Sequence, residues 1–480
     1  MHGSVKPHTA CSITCVLSVV VGASACGVPP TLSGSDGSGS SGDDDLDAWA
    51  GDDTDGDGEE PGGSSRGSGG GSGGGSGGTG DGPDDDGHGM TAGIGEVGPD
   101  SGDGPDVSCP CPDPSQFGSV WLPSPEDGLV YKIDADTMEI AGAYATAAEG
   151  GKPVTTAVSI DGHAVAVADE GGGLTKIWTR PGLCDGQQDT NPEVRTSTGP
   201  TALPFGTDEC VAWSTPLPFS RQIPIGWGPG AIDAVSCEST AQVVWTAGCT
   251  VSSANTRVVR VDGETGVVLG SLELDLFPCN GAMPTMGAVD RSGGFWLANS
   301  VAGASRLAKV DASGQLEAIE VPPLLPAGLT IDATGHVWLS SRYGSAQATA
   351  ARLEPVTHTW SLAKNILATG RSGIVEDLDG RMWLAYERFH HVDEAPGVTW
   401  IDAGTMHVGA PASAGCPGGR CDGITMDFGG RVWSTSSHDA RAYRYDPDAG
   451  EVKDIGGLRV SAYGSDPTGW SLRNAACAGP

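Results

Sequence analysis

The chain has 480 residues, of which 26 are Lys or Arg and 61 are Asp or Glu, giving a formal net charge of −35. Binding to a nucleic-acid duplex needs a basic face, so this charge argues against a nucleic-acid partner. Beyond the N-terminus no apolar run approaches the roughly 20 residues of a spanning helix, which excludes a polytopic membrane protein.

Residues 1–26 are predicted to be an export signal. Lys6 precedes an apolar run at 13–25 whose length suits a signal peptide better than a membrane span. Residues 23–26, Ala-Ser-Ala-Cys, are similar to a bacterial lipobox. In that interpretation Cys26 is lipidated and anchors an outer-membrane lipoprotein, periplasmic or at the cell surface. The same residues fit an A-x-A cleavage site, which leaves a soluble secreted protein as the alternative.

Residues 27–108 are predicted to be a disordered linker. They hold 19 acidic residues and one base, and the run 64–80 is almost entirely Gly and Ser. Such a segment cannot bury enough apolar surface to offset its chain entropy. A flexible coil of this length spans roughly 50 Å, and charge repulsion extends it further. The linker therefore fits a spacer between a membrane and a domain.

Residues 109–480 are predicted to form an all-β domain because a motif recurs along them. Asp-x-x-Gly-x-x-Trp occurs four times, with Trp-to-Trp steps of 42, 45 and 50 residues; its Trp residues are Trp296, Trp338, Trp383 and Trp433. Asp and Gly favour a tight turn, and the flanking apolar runs favour strands. Around the second copy the predicted strands are 328–331, 337–339, 351–353 and 359–362. Four antiparallel strands per roughly 45 residues indicate a β-propeller blade.

Weaker copies of the unit precede these four and bring the predicted number of blades to seven. They begin near Trp121, near 158–162 and at Trp245. The Trp residues are expected to pack between blades. The first blade lacks an innermost strand of its own, and segment 470–473 is predicted to supply it and close the ring, removing exposed edges.

Ten cysteines remain after the signal and Cys26. An even number in an exported chain favours disulfides. The predicted pairs are Cys416–Cys421, Cys237–Cys249 across the hairpin of blade three, and Cys184–Cys210, which would clamp an insertion at about 181–226. A zinc site is the rival interpretation, but no C-x₂-C pair supports it.

Ligand-binding residues of a propeller are expected where the loops from strand two to three and from blade to blade gather on one face. Imidazoles and carboxylates close together suit a divalent metal or acid–base chemistry, while a polar surface loop is the plainer alternative. The candidates on this face are Arg342, Tyr343, Glu387, His390, His391, Asp393, Glu394, His438 and Asp439.

The insertion after blade two contains a second, weaker candidate site. Its oxygen ligands at odd spacing suggest a calcium loop, although Pro192 and a missing central Gly break the EF-hand pattern. These ligands are Asp185, Asp189, Asn191 and Glu193. No cofactor is implied beyond calcium or magnesium. No nucleophile motif, phosphate loop or dinucleotide fingerprint is found, so no catalytic residue is assigned.

The blade-by-blade Asp-x-x-Gly-x-x-Trp motif resembles the virginiamycin B lyase (streptogramin lyase) family of seven-bladed propellers. The resemblance covers 118–480 and is clearest at 286–450. It implies a magnesium-dependent opening of a cyclic depsipeptide, with a general-base His just before an innermost strand. The matching positions here read Pro326-Ala327-Gly328, Ser372-Gly373 and Asp422-Gly423, without His. The resemblance therefore transfers the fold and leaves the activity unassigned.

Three functions follow from these observations. The first is a membrane-tethered, monomeric binding module for a protein, peptide or glycan. The second is a lyase-like enzyme with a divalent metal near His390 and His438. The third is a purely structural component of the cell envelope. The linker and the unmatched catalytic positions favour the first.

Overall fold

The computed structural model describes part of the compact unit at 96–480. The described residues are 117–184, 194–233, 239–342, 350–363, 368–369, 373–386, 388–389, 396–410, 412, 416, 421–461 and 466–477. The predicted signal, lipidation site and linker lie outside them. Among these residues no helix is long and apolar enough to cross a membrane.

Seven antiparallel sheets form the propeller, as predicted. Blade one contains β1 (Ser119–Ser124), β2 (Leu129–Asp134) and β3 (Ile140–Ala145). Blade two contains β4 (Pro153–Val158), β5 (Ala164–Asp169), β6 (Gly173–Trp178) and β7 (Val211–Pro216). Blade three contains β8 (Arg221–Gly228), β11 (Val243–Cys249), β12 (Asn255–Asp262) and β13 (Val268–Pro278). A short hairpin of β9 (Ala231–Ile232) and β10 (Ser239–Thr240) follows β8. A single turn of helix, α1 (Pro181–Cys184), follows β6.

The remaining blades follow the same order. Blades four and five contain β14 (Met286–Val289), β15 (Phe295–Ala298), β16 (Arg306–Val310) and β17 (Leu316–Glu320); and β18 (Pro326–Ile331), β19 (Val337–Ser341), β20 (Ala350–Glu354) and β21 (Thr359–Ala363). Blades six and seven contain β23 (Ile374–Glu376), β24 (Arg381–Tyr386) and β26 (Gly397–Asp402); and β27 (Gly423–Met426), β28 (Val432–Ser436), β29 (Arg441–Asp446) and β30 (Glu451–Gly456). A two-stranded piece joins β22 (Ala368–Thr369) to β25 (Arg388–Phe389).

The repeated Asp holds both the turn and the Trp of its blade. In blade five, Oδ1 of Asp332 accepts the backbone N–H groups of Thr334 at 3.0 Å and His336 at 2.8 Å. Oδ2 of Asp332 accepts the indole N–H of Trp338 at 2.8 Å, and Gly335 takes a φ of +90° that a side chain would disfavour. The same indole bond joins Asp290, Asp377 and Asp427 to their Trp residues. The constant spacing of six residues therefore lets one carboxylate serve two groups.

Basic residues of the third strand of most blades connect that blade to the next. Each is paired across the sheet with the second-strand residue at the position of the repeated Trp, and its side chain donates to a backbone carbonyl of the neighbouring blade. Lys132 reaches the carbonyl of Thr179 at 2.6 Å and Lys176 reaches that of Gly263 at 2.9 Å. The remaining pairs are Arg260 with Ala312, Arg352 with Ala403, and Arg444 with Ala135. These bonds run around the ring and join blade seven to blade one.

The C-terminal segment closes the ring, but 470–473 is not a strand. The backbone N–H of Trp121 in β1 donates to the carbonyl of Pro467 at 2.9 Å, and Asp466 forms a parallel bridge with Ala157 of β4. This contact places 466–467 where the innermost strand of blade one belongs. The chain then forms helix α2 (Trp470–Cys477). The prediction was wrong because four residues around Trp470 are too few to distinguish a strand from a buried helix by periodicity.

The insertion of blade two is shorter than predicted at its C-terminal end. It is the connection 179–210 between the third and fourth strands of the blade. Val211–Pro216 is the outer strand of blade two, and Arg221–Gly228 is the innermost strand of blade three. The Pro and polar residues of 211–226 hid these strands from pattern analysis.

Two of the three predicted disulfides are present, and the third is wrong. One disulfide joins Cys184 to Cys210 across the insertion, and the other joins Cys416 to Cys421, five residues apart in sequence. Cys249 bonds to Cys279 instead of Cys237. Cys249 ends β11 and Cys279 follows β13, so this bond ties strands of one blade together. Cys477 of α2 is also disulfide-bonded.

Peptide mapping of the non-reduced protein is expected to recover Cys249 joined to Cys279. The two residues already lie at a Cα distance of 5.7 Å, within the normal range for a disulfide. Mass spectrometry after proteolysis between the two cysteines checks this. Recovery of a Cys237–Cys249 peptide would contradict the structure and restore the sequence-based pairing.

Candidate functional site

The innermost strands surround a channel with two different faces. The repeated turns, such as those at Asp332 and Asp427, lie on one side, called the turn face. The loops that contain Arg342, Asp422 and His438 lie on the other, called the loop face. The loop after a second strand meets the connection between blades there, because the backbone N–H of Arg342, after β19, donates to the carbonyl of Leu325, before β18, at 2.7 Å.

A small cavity remains in the channel. It measures about 50 Å³, which is room for a few water molecules. Most of its wall is Gly and aliphatic residues of the innermost strands, among them Val158, Ile225, Leu329, Ile331, Ile374 and Ile424. Asp466 is the single ionisable group among the described residues that line it.

Helix α2 fills much of the remaining channel. Trp470, Leu472 and Ala475 are buried, and each belongs to a different apolar cluster of the propeller. The indole N–H of Trp470 donates to the backbone carbonyl of Glu376 at 2.6 Å, and its ring packs edge-on against Phe428 at 5.2 Å. Both contacts are beside repeated turns, so α2 occupies the channel from the turn face.

Two carboxyl groups lie in the contact between α2 and the propeller. Oε2 of Glu376 accepts the backbone N–H of Ala333 and the amide of Asn474, each at 2.5 Å. Burial raises the pKa of Glu376 to about 7, and the charges of Asp332 and Asp377 add to the shift against these two hydrogen bonds.

Asp466 provides the second carboxyl group. Its oxygens accept the backbone N–H groups of Ser471 at 3.2 Å and Leu472 at 2.8 Å, in the first turn of α2. Burial raises the pKa of Asp466 to about 6 despite these bonds. Neither carboxyl forms an ion pair among the described residues.

Three of the nine residues predicted for the loop face are described, and two of them meet. His438 is 65% exposed, and its Nδ1 lies 3.2 Å from Oδ1 of Asp439. Tyr443 donates its hydroxyl to the other oxygen of Asp439 at 3.2 Å. Burial, followed by the charge of Asp439, raises the pKa of Tyr443 to about 12, so its hydroxyl stays protonated at neutral pH. Arg342 is half-buried in blade five.

The other six predicted residues lie outside the described part of the chain. These are Tyr343, Glu387, His390, His391, Asp393 and Glu394. The predicted calcium ligands Asp185, Asp189, Asn191 and Glu193 also lie outside it. Within the described ranges, no group of three or more His, Cys, Asp or Glu side chains is arranged to hold a metal. The metal sites proposed from sequence therefore stay predictions.

Asp422 was not assigned a role from sequence, although it neighbours the predicted site. Its side chain is buried, and Oδ2 accepts both the backbone N–H of Ser437 at 2.9 Å and its hydroxyl at 2.6 Å. Oδ1 is buried and has no hydrogen-bond partner among the described residues. The two bonds from Oδ2 of Asp422 to Ser437 position the loop that carries His438. The sequence signal was an Asp directly before an innermost strand that begins with Gly423.

Comparisons with known proteins found no relative by sequence and only distant structural matches. No protein-family model matches the chain, and no curated protein matches its sequence. Solved structures with a similar fold include a streptogramin B lyase, at 14% identity and a TM-score of 0.43, covering 65% of this chain and 86% of that one.

Two further structures illustrate the range of matches. Virginiamycin B lyase from Staphylococcus aureus is 15% identical, with a TM-score of 0.42 and coverage of 65% of this chain and 87% of that one. A protein of unknown function from Bacteroides caccae is 12% identical, with a TM-score of 0.38 and coverage of 59% and 90%. These similarities concern the propeller fold, and no activity follows from them.

The described site offers hydrogen bonding and charge at the loop face and an apolar interior. His438 presents an exposed imidazole at the loop face, beside the partly buried Asp439 and on the loop held by Asp422. The cavity wall offers no pair of ionisable side chains for general acid–base chemistry among the described residues.

Proposed function

We propose that the protein is an exported binding module that holds a protein, peptide or glycan at the loop face of its propeller. In this proposal the signal at 1–26 directs export, Cys26 carries a lipid anchor, and 27–108 holds the propeller away from an outer membrane. The disulfides support an oxidising compartment outside the cytoplasm.

The observation that carries the proposal is the occupied channel. A chain segment of this protein fills the space from the turn face, which leaves the opposite rim as the accessible end. Exposed His438 beside Asp439, on a loop fixed by the buried Asp422, provides donors and acceptors for a polar ligand. Binding residues on loops held by a rigid scaffold are the usual arrangement for recognition.

The test is a screen of the purified, oxidised full chain against an array of cell-envelope glycan fragments and a random heptapeptide library. We expect saturable binding of at least one probe, weakened at least tenfold by His438→Asn combined with Asp439→Asn. A bidentate polar contact to a ligand contributes an amount of this order.

The matched control is His358→Asn. His358 is also an exposed imidazole paired with a carboxylate, since its Nε2 lies 2.9 Å from Glu317, but it lies on the turn between β20 and β21. It should bind the probe as the wild type does. If both variants weakened binding of the probe equally, the binding site would lie elsewhere. If no probe bound saturably, a purely structural role would remain. Opening of a cyclic depsipeptide with magnesium, lost in the His438 variant, would replace the proposal with a lyase.

A further inference from the structure

Helix α2 is held in the channel partly by hydrogen bonds to two carboxyl groups, whose charge depends on protonation. The packing of its apolar residues against the channel wall does not itself depend on protonation. Its polar contacts, in contrast, run through Glu376 of blade six and through Asp466 at its own start. Glu376 is 6% exposed, and the carboxyl of Asp466 bonds the first turn of α2, so both groups lie in the docked contact.

We propose that α2 is a pH-released plug, docked in the channel when Glu376 and Asp466 are protonated and loosened when they ionise. This inference concerns the channel and does not depend on the ligand proposed for the loop face. Loosening would uncover the apolar channel wall around Leu329, Ile331 and Ile374. The disulfide at Cys477 would keep the loosened segment attached.

Within the described ranges, the groups that face Glu376 do not include a direct cationic partner. Blade five contributes the backbone N–H of Ala333 and the carboxylate of Asp332, and α2 contributes the amide of Asn474. Blade six contributes the carboxylate of Asp377, which is already engaged by Arg381 at 2.6 Å. His336 is likewise engaged by Asp332 at 3.1 Å. An ionised Glu376 therefore meets two further carboxylates across a buried contact.

Asp466 is surrounded mainly by neutral groups. Besides the backbone N–H groups of α2, the hydroxyl of Thr468 bonds its carboxyl, and its own backbone pairs with Thr156 and Val158 of β4. Arg473 of α2 lies over the ring of Phe117, 5.3 Å from its centroid. The groups seen to bond this carboxyl in the described part of the chain are backbone N–H groups and one hydroxyl, which favour its ionised form, while burial opposes ionisation more strongly.

The direction of the effect follows from the raised pKa values. An acid whose docked pKa exceeds its free value favours the docked state fully at low pH, and this preference is lost as pH rises through the window between the two values. For Glu376 the window runs from 4.5 to about 7, and for Asp466 from 3.8 to about 6. Docking should therefore weaken as the pH rises from about 4 to about 7, with most of the loss from Glu376 above pH 5.

Hydrogen exchange of the full, oxidised chain tests the proposal. After correction for intrinsic rates, the protection of amides 471–477 should fall roughly 100-fold between pH 5.5 and 8.0, of which roughly 30-fold comes from Glu376 and roughly fourfold from Asp466. Amides of β19, the second strand of blade five, should keep their protection, because the propeller itself stays closed.

Glu376→Gln is the decisive variant because it keeps the shape and acceptor oxygen but removes the charge. It should retain protection at pH 8.0 and leave roughly a fourfold response. Glu320→Gln, on an exposed outer strand, is the control and should respond as the wild type does. Equal protection at both pH values, or a full response in Glu376→Gln, would overturn the proposal. Parallel loss in β19 would also overturn it, and the wild-type comparison decides the matter even if the variant fails to fold.

Discussion

Replacing Asp427 with Ala should lower the free energy of unfolding by about 3–5 kcal/mol. Asp427 is 1% exposed, and one of its oxygens accepts the indole N–H of Trp433 at 2.9 Å and Nε of Arg431 at 2.8 Å. Its other oxygen accepts the N–H groups of the turn at Gly429 and Arg431. The substitution leaves a buried indole N–H unpaired and removes the turn's acceptor at the same time.

Asp311→Ala is the matched control for this prediction. Asp311 accepts turn N–H groups from Ser313 and Gln315 at 2.8 Å, but it is only partly buried and bonds no Trp in the described part of the chain. Asp311→Ala should lower the free energy of unfolding much less than Asp427→Ala does. The difference between the two variants therefore measures the contribution of the buried contacts of Asp427. Urea unfolding of both variants, with equal slopes against denaturant, measures it. Similar losses for the two would mean that the turn, and not the Asp–Trp bond, explains the repeat.

Replacing Trp470 with Ala should cost about 3–5 kcal/mol, as expected for a buried Trp. Trp470 is 6% exposed and joins the wall of the channel to the turn of blade seven through Phe428. Its removal opens a cavity between blades and leaves the carbonyl of Glu376 without its 2.6 Å partner. The loss should also be accompanied by exposure of α2, because this residue is its largest apolar contact.

Trp360→Ala provides the comparison. Trp360 also donates its indole N–H to a backbone carbonyl, that of Glu320 at 3.0 Å, but it lies half-buried on the outermost strand of blade five. Urea unfolding of the two variants, with hydrogen exchange of α2, checks the prediction. A loss for Trp470→Ala no larger than that for Trp360→Ala would show that α2 adds little to the stability of the ring.

The repeated turn explains why so much of the fold could be predicted from sequence. Asp and Gly at fixed spacing encode a local hairpin, and local hydrogen bonds such as those of Asp332 need no distant partner. The role of Trp338 as a core residue was also predictable, but its bond to Asp332 was not, because a six-residue spacing does not show which atoms meet. The same holds for Lys132 and Arg444, whose partners lie on other blades.

The C-terminal features were missed for a related reason. The helical state of Trp470–Cys477 depends on the channel around it, and nothing in eight residues reveals that environment. Glu376 and Asp466 appear in the sequence as ordinary surface acids, and only their burial gives them a distinctive chemistry. Cys279 was overlooked as a partner because the hairpin nearest to Cys249 offered a closer cysteine.

Ring closure through Pro467 has a consequence for how the protein is made. The bond between Trp121 and Pro467 joins positions more than three hundred residues apart, so blade one stays incomplete until the last part of the chain has been synthesised. Contacts so distant in sequence form slowly, because a long loop must close before they contribute. The ring therefore closes late in folding, and a chain that ends before residue 466 lacks the segment that completes blade one.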